Sequence, residues 1–252
     1  MHKYLMMDCE SAETPKIDGQ LDVKNGQAYD LGLRVIDETG KVYEEVSLIN
    51  EDVFFGMPES MQEAYYASKM PQYLEDMRMG KRKIVDTWRM YQIFHRLCKE
   101  HNIEGVIAHN AFFDINVLNA TIRYQTKSRC RWFLPWGIEI IDTMKLARNT
   151  FAKDPKYVSW CVENGFMTNH KVPRPRLTAE ILYRYITNDL QFEEKHTGLE
   201  DVQIETEIFL KCLERMGEQS PIFYMRPPAR TFNTFVTILC LTCNTFFDII
   251  RT

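Results

Sequence analysis

The chain opens on an apolar run, Lys3-Tyr4-Leu5-Met6-Met7, that ends in Asp8-Cys9-Glu10. A short apolar run bounded in this way predicts a strand. Residues 11–26 are polar and carry Pro15, Gly19 and Gly26, which predicts a loop. Residues 28–36 and 41–49 read as two further strands, joined by the hairpin turn Asp37-Glu38-Thr39-Gly40. The three strands form a meander. From Pro58 the spacing becomes helical, and Pro71 breaks residues 59–79 into two pieces. Asp86 or Thr87 caps a helix that runs to Glu100, with Trp88, Tyr91, Phe94, Leu97 and Cys98 on one stripe. A buried strand at 105–108, a helix to about 124, a strand at 137–142 and a helix from 143 come next. Helices at 158–164, 178–187 and 197–216 complete the pattern. A meander followed by alternating strands and helices predicts an α/β fold with a mixed sheet.

Composition narrows this only slightly. The chain has 252 residues, 45% hydrophobic and 26% charged, which is ordinary globular composition. The net charge of −4 argues against a protein held on nucleic acid by bulk charge, and leaves room for a local basic groove. The seven cysteines show no paired framework, and Tyr4–Met7 is too short for a signal peptide, so a reducing cytoplasm is expected. Cys240-x-x-Cys243 has no second pair or histidine partners for a metal.

Chemistry enters with Asp8 and Glu10. At positions i and i+2 of one strand they share a face. Two ionised carboxylates that close repel unless a cation or a shared proton lies between them. A solvated strand end is one reading; a site for a hard divalent ion such as Mg²⁺ or Mn²⁺ is the other. Further carboxylates decide between the two. Asp114 ends His109-Asn110-Ala111-Phe112-Phe113-Asp114, and Asp201 ends His196-Thr197-Gly198-Leu199-Glu200-Asp201. His196 falls just before a helix and Asp201 about one turn inside it. That suits a mobile general base beside a rigidly held metal ligand.

In this order and at these spacings the three pieces resemble the DEDDh 3′→5′ exonucleases of the ribonuclease H-like superfamily. The family includes the proofreading subunit of bacterial replicative DNA polymerase, ribonuclease T and oligoribonuclease. The His196-to-Asp201 spacing selects the histidine branch over the tyrosine branch, and residues 141–148 also resemble the family's segment before the last motif. The resemblance implies a five-stranded mixed sheet flanked by helices over residues 1–217, with a helical insertion at about 57–83. It implies hydrolysis of phosphodiester bonds from the 3′ end of single-stranded DNA, or of RNA. Asp8, Glu10, Asp114 and Asp201 would hold two Mg²⁺ or Mn²⁺ ions, and His196 would take the proton from the attacking water. Phe113 is either core or a contact for the terminal base. His109 and Asn110 read as structural, Asp142 as a helix cap, and Cys9 as pointing into the core.

Other features leave alternatives open. Gly80-Lys81-Arg82-Lys83 is a solvated turn or a phosphate contact. Lys127, Arg129 and Arg131, interleaved with Trp132, Phe133 and Trp136, suit stacking on single strands, or are core aromatics beside a surface loop. Residues 218–252 form a Pro-containing linker and an apolar tail. The tail packs on the domain, associates with itself or a partner such as a polymerase or repair assembly, or touches a membrane; it is too short and polar for a confident span. A nucleic-acid-processing scaffold with secondary or no nuclease activity is the competing function. The expected setting is the cytoplasm of a bacterium or a phage-infected cell.

Overall fold

Alternation along the first strand divides the molecule. In β1 (Lys3–Pro15), Leu5, Met7 and Cys9 enter one apolar cluster, while Tyr4 and Met6 enter another. A strand buried on both faces must be sandwiched between helices. The computed structural model describes residues 2–15, 21–64 and 67–217. Around β1 it places β2 (Leu21–Asp37), β3 (Val42–Asn50), β4 (Lys83–Val85), β5 (Gly105–Ala108) and β6 (Glu139–Asp142) in the order β4-β3-β2-β1-β5-β6. β1, β2 and β3 form the antiparallel meander, and β1–β5, β5–β6 and β3–β4 pair in parallel. The mixed α/β sheet is as expected; its strand count is six, not five. The extra strand, β4, is a three-residue edge piece directly behind the basic run, too short to show a period.

The helices are α1 (Glu51–Phe54), α2 (Pro58–Gln62), α3 (Met70–Arg78), α4 (Thr87–Glu100), α5 (Phe112–Thr126), α6 (Thr143–Thr150), α7 (Pro155–Glu163), α8 (Ala179–Thr187) and α9 (Gly198–Met216). α4 and α5 cover the face that receives Leu5 and Met7. α6 to α9 cover the face that receives Tyr4 and Met6. α1 to α3 build a smaller cluster on Tyr29, Ile49, Phe54 and Tyr73. Pro71 stands in the first turn of α3, where its missing N–H costs nothing. Asp86 caps α4 by accepting from Arg89 N–H at 2.6 Å.

Two details depart from the pattern. Residues expected to loop after Glu10 extend the β1–β2 ladder to Pro15↔Leu21 through two register shifts. Bulges absorb the irregular positions, and Pro15 sits at the strand's last residue. On α4 the buried stripe is Met90, Ile93, Phe94, Leu97 and Cys98; Trp88 is 42% exposed and stacks on Tyr91. No described helix is long and apolar enough to cross a membrane. The linker and tail, with Pro221, Pro227, Pro228 and the Cys240/Cys243 pair, lie outside the described residues.

The element that positions the site is α9. Its first residue, Gly198, crosses the sheet in backbone contact. A Cβ at Gly32 on β2 would lie 2.1 Å from the Gly198 carbonyl carbon, and one at Gly198 would lie 2.6 Å from the Gly32 nitrogen. Neither neighbour is a side chain that can swing away. Gly32→Ala is therefore expected to cost about 1–3 kcal/mol or more by overpacking, which lowers Tm by roughly 2–12 °C in a domain of this size. Calorimetry checks it; an unchanged Tm would mean that α9 can lift off the sheet without loss.

Candidate active site

The middle of β1 and the N-termini of α5 and α9 converge beside this crossing. On β1, Asp8 and Glu10 continue the face of Tyr4 and Met6, and Cys9 is buried on the opposite side. Asp114 stands in the first turn of α5, Asp201 and Glu200 in the first turn of α9. A helix N-terminus favours negative charge, so both aspartates sit where the backbone helps to hold them ionised. The Cys9 N–H donates to Asp114 Oδ1 at 3.1 Å, which fixes Asp114 against β1. The Thr197 N–H donates to Asp201 Oδ2 at 2.9 Å, leaving Asp201 Oδ1 buried with no hydrogen-bond partner among the described residues.

Glu10, His196 and Asp201 bring ligand atoms within 4.8 Å of one another. Asp8 and Asp114 lie close enough to this trio for their charges to bear on one another. All the residues expected at the site from the sequence thus meet at one place, apart from Phe113, which lies on the rim and is 37% exposed. His196 adopts φ +51°, with Nδ1 3.8 Å from Glu194. Its pKa is lowered, first by burial and then by the Lys69 ammonium.

The carboxylates carry the opposite strain. Burial above all, and then mutual repulsion, raises Asp8 well above the ordinary range, Glu10 to about 8 and Asp201 to about 9. Burial raises Asp114 to about 7 against the hydrogen bonds from Cys9. An unpartnered buried carboxylate oxygen among crowded acids, with only oxygen and imidazole donors, fits a hard divalent cation. Asp8, Glu10, Asp114 and Asp201 are residues that could hold it.

Surrounding residues complete the site. His109 holds its loop, with Nδ1 at 2.9 Å from Thr143 Oγ1 and Nε2 at 2.6 Å from the Leu177 carbonyl. The Asn110 N–H donates to Asp142, and Asp142 also caps α6 by accepting from Met144 and Lys145. These roles are the ones expected. The basic run divides: Arg82 is no solvated turn and no phosphate contact. It is buried and pairs with Asp30, Asp76 and Glu200, each at 3.0 to 3.2 Å. Asp30 also accepts from Tyr73 Oη and from the Gly198 N–H. The insertion is thus tied to the start of α9.

Escherichia coli exonuclease I in complex with a dT13 oligonucleotide superposes with a TM-score of 0.52 at 14% identity, over 86% of this chain and 42% of that one. Exonuclease I from Methylocaldum szegediense gives 0.51 at 18% identity, over 86% and 42%. The chain has the ribonuclease H-like fold of these exonucleases. It spans less than half of their length. No family model and no curated protein matches the sequence.

Within this ribonuclease H-like fold, four residues at the site escaped the sequence reading. Asp30 faces Glu10 across the β1–β2 ladder, and the hairpin register carries that signal. Glu205 is buried one turn beyond Asp201, accepts the His109 N–H at 3.2 Å and weighs on Asp8; its i+4 spacing was visible. Glu194 is raised to about 7, chiefly by burial. Lys69, from the insertion, donates to the Lys195 carbonyl and lowers Glu10 and Asp201. No local pattern joins Lys69 to residues so distant in sequence.

Because these carboxyls titrate higher folded than unfolded, the folded state binds more protons between about pH 4 and 9. Stability of the metal-free protein therefore falls as pH rises through that window. Asp8→Asn is expected to raise the metal-free Tm at pH 8 and to shrink the upward shift that Mn²⁺ gives the wild type. In the wild type that shift is larger at pH 8 than at pH 6, since the ion competes with protons. Thermal melts with and without Mn²⁺ check both; a metal-induced shift equal in the variant and the wild type would remove Asp8 from the ligand set.

Proposed function

We propose that the protein is a metal-dependent 3′→5′ exonuclease that removes nucleotides from the 3′ end of single-stranded DNA. The observation that carries this reading is the convergence of Asp8, Glu10, Asp114 and Asp201 with His196 where the middle of β1 meets the N-termini of α5 and α9. Asp8, Glu10, Asp114 and Asp201 would hold two Mg²⁺ or Mn²⁺ ions, and these supply charge stabilisation and a lowered water pKa. The ribonuclease H-like fold shared with exonuclease I, one structure of which is in complex with a dT13 oligonucleotide, supports a nucleic-acid substrate. DNA is preferred to RNA on that likeness.

The protein's own residues do the remaining work. His196, kept neutral by burial and by Lys69, has a lone pair for the proton of an attacking water. Water oxygen attacks phosphorus, the P–O3′ bond breaks, and the shortened strand leaves with a 3′-hydroxyl while the released nucleotide keeps its 5′-phosphate. Hydrogen bonds from Cys9 and Thr197 hold Asp114 and Asp201 in place, so that little reorganisation accompanies the reaction. The left-handed φ of His196 puts the base on a loop that a small backbone change can move. Phe113 would touch the terminal base. Residues 1–217 would be the catalytic domain, working in the cytoplasm, and residues 218–252 an appendage for a polymerase or repair assembly or for self-association.

Single strands of DNA and RNA labelled at the 3′ or the 5′ end test the reaction on a gel, with Mg²⁺, Mn²⁺ or EDTA. A DNA ladder that shortens from the 3′ end, lost with EDTA and in Asp8→Ala, is the expected result. Absence of metal-dependent cleavage on every strand would sink the enzyme in favour of a nucleic-acid-processing scaffold. His196→Ala is expected to slow cleavage by about 10²- to 10⁴-fold while keeping the Mn²⁺-induced Tm shift. Equal loss of both would make His196 a ligand instead of a base.

A further inference from the structure

A groove of about 1150 Å³ runs along α5, the helix whose first turn carries Asp114. Its near end is formed by Asn110 and Phe113, the latter adjacent in the chain to Asp114. Its far end is formed by Lys127, Ser128 and Arg129, beyond the helix C-terminus. The groove therefore leads out of the site along the length of a 15-residue helix. At ~1.5 Å per residue that is roughly 22 Å. A stacked strand with phosphates about 3.4 Å apart lays about six nucleotides along it, and a more extended strand lays fewer.

Its chemistry is unlike that of the chain as a whole. The protein is acidic, yet Arg123, Lys127 and Arg129 line this groove and, among the described residues, no Asp or Glu does. Phe112 is 68% and Tyr124 47% exposed, both on the groove wall. Large aromatic faces left to solvent beside cations are what a stacked single strand uses: rings for bases, ammonium and guanidinium groups for phosphates. Lys127 lies 4.3 Å from the Tyr124 ring centroid, so one position offers both. Asn119, 3% exposed, lines the same wall. Its Oδ1 accepts from the Phe133 N–H, while Nδ2 is buried with no partner among the described residues.

The basic and aromatic run after α5 is sorted accordingly. Phe133 is core, and Arg131 stacks over Trp88 at 4.8 Å. Lys127, Arg129 and Trp132 face the groove.

We propose that this groove holds the body of the single DNA strand, the nucleotides 5′ of the end under attack. The assignment rests on the exonuclease reading of the carboxylate site, and it adds an extended, sequence-independent binding track that needs no metal. Short ends would then be held by the carboxylate site alone, and longer strands by both.

Fluorescence anisotropy in EDTA, with 5′-labelled oligo-dT of 2, 6 and 12 nucleotides, tests it. The double variant Lys127→Glu, Arg129→Glu changes only exposed side chains. It is expected to weaken dT12 binding at least tenfold and to lower the slope of log K against log salt by about 1.4, ~0.7 for each lost phosphate contact. Tyr124→Ala is expected to weaken dT12 roughly tenfold through lost stacking. The rate at which the double variant cleaves dT2 with Mn²⁺ stays that of the wild type. Unchanged dT12 affinity and salt slope in the double variant overturn the proposal and leave the groove to a partner with an acidic surface. A loss seen with oligo-rU and not with oligo-dT overturns it in favour of RNA. The two readings fail separately: wild-type cleavage with unaltered binding by the double variant sinks the groove alone. Groove-dependent binding with no cleavage at any metal concentration sinks the nuclease alone.

Discussion

Everything at the site depends on two backbones meeting without side chains between them. Gly198 passes over Gly32 at a distance no Cβ would permit, and a Cβ on Gly198 would also lie 3.1 Å from the Asp8 carbonyl oxygen. The approach lets the first turn of α9 cross the middle strand of the meander. It brings Asp201 and Glu205 beside Asp8, and leaves His196 on the loop just before the helix. A helix standing off by an ordinary packing distance of about 8–10 Å could not do this. Close contact exposes the Gly198 N–H to a buried environment, and Asp30 accepts it at 2.9 Å. Asp30 would then be a buried charge, and Arg82 answers it. Arg82 in turn carries Asp76 and Glu200. The insertion that supplies Arg82 and Tyr73 is therefore no ornament on the surface: it neutralises the charge that seats α9.

The same geometry explains why the site is unstable by itself. Asp8, Glu10, Asp114, Asp201 and Glu205 share a small volume, and three of them are nearly inaccessible to solvent. Helix N-termini, the Cys9 and Thr197 amides and the nearby Lys69 offset part of the repulsion, yet the carboxyls still titrate far above their ordinary range. A sequence selected for stability alone would replace some of these acids with apolar residues of similar size. Their strain is of the kind a bound cation relieves, which is why charge crowding argues for function where a solvated acidic patch would not.

How much of this the sequence carried varies with the range of the signal. Asp8 and Glu10 were legible because one strand puts i and i+2 on one face, and Asp201 because a loop followed by a helix is a local pattern. The meander, the Asp86 cap and the Asp142 cap were legible for the same reason. The trouble lay with residues whose role depends on a partner far along the chain. Arg82 looked like part of a basic turn, because its three acids lie at 30, 76 and 200. Lys69 reaches Lys195 from an insertion with no motif. Trp88 shares the helical spacing of Tyr91 and Phe94, but the helix turns Met90 and Ile93 inward instead. β4 was missed because a three-residue edge strand takes its register from β3 and not from its own pattern.

Net charge was the least informative quantity, and the structure shows why. A value of −4 averages over an acidic pocket and a groove that, among the described residues, has three cations and no acid. These are neighbours, joined at Phe113 and Asp114, and opposite fields that close do not cancel for a ligand as long as a polynucleotide. Without a cation the pocket repels a phosphate while the groove attracts one. On the proposed reading, a strand on such a surface would be held first by its body, with its end kept out of the acids, and a divalent ion would then remove the barrier to the last step. Binding and chemistry would thus depend on different residues and respond differently to salt and to metal, a separation that one averaged charge conceals.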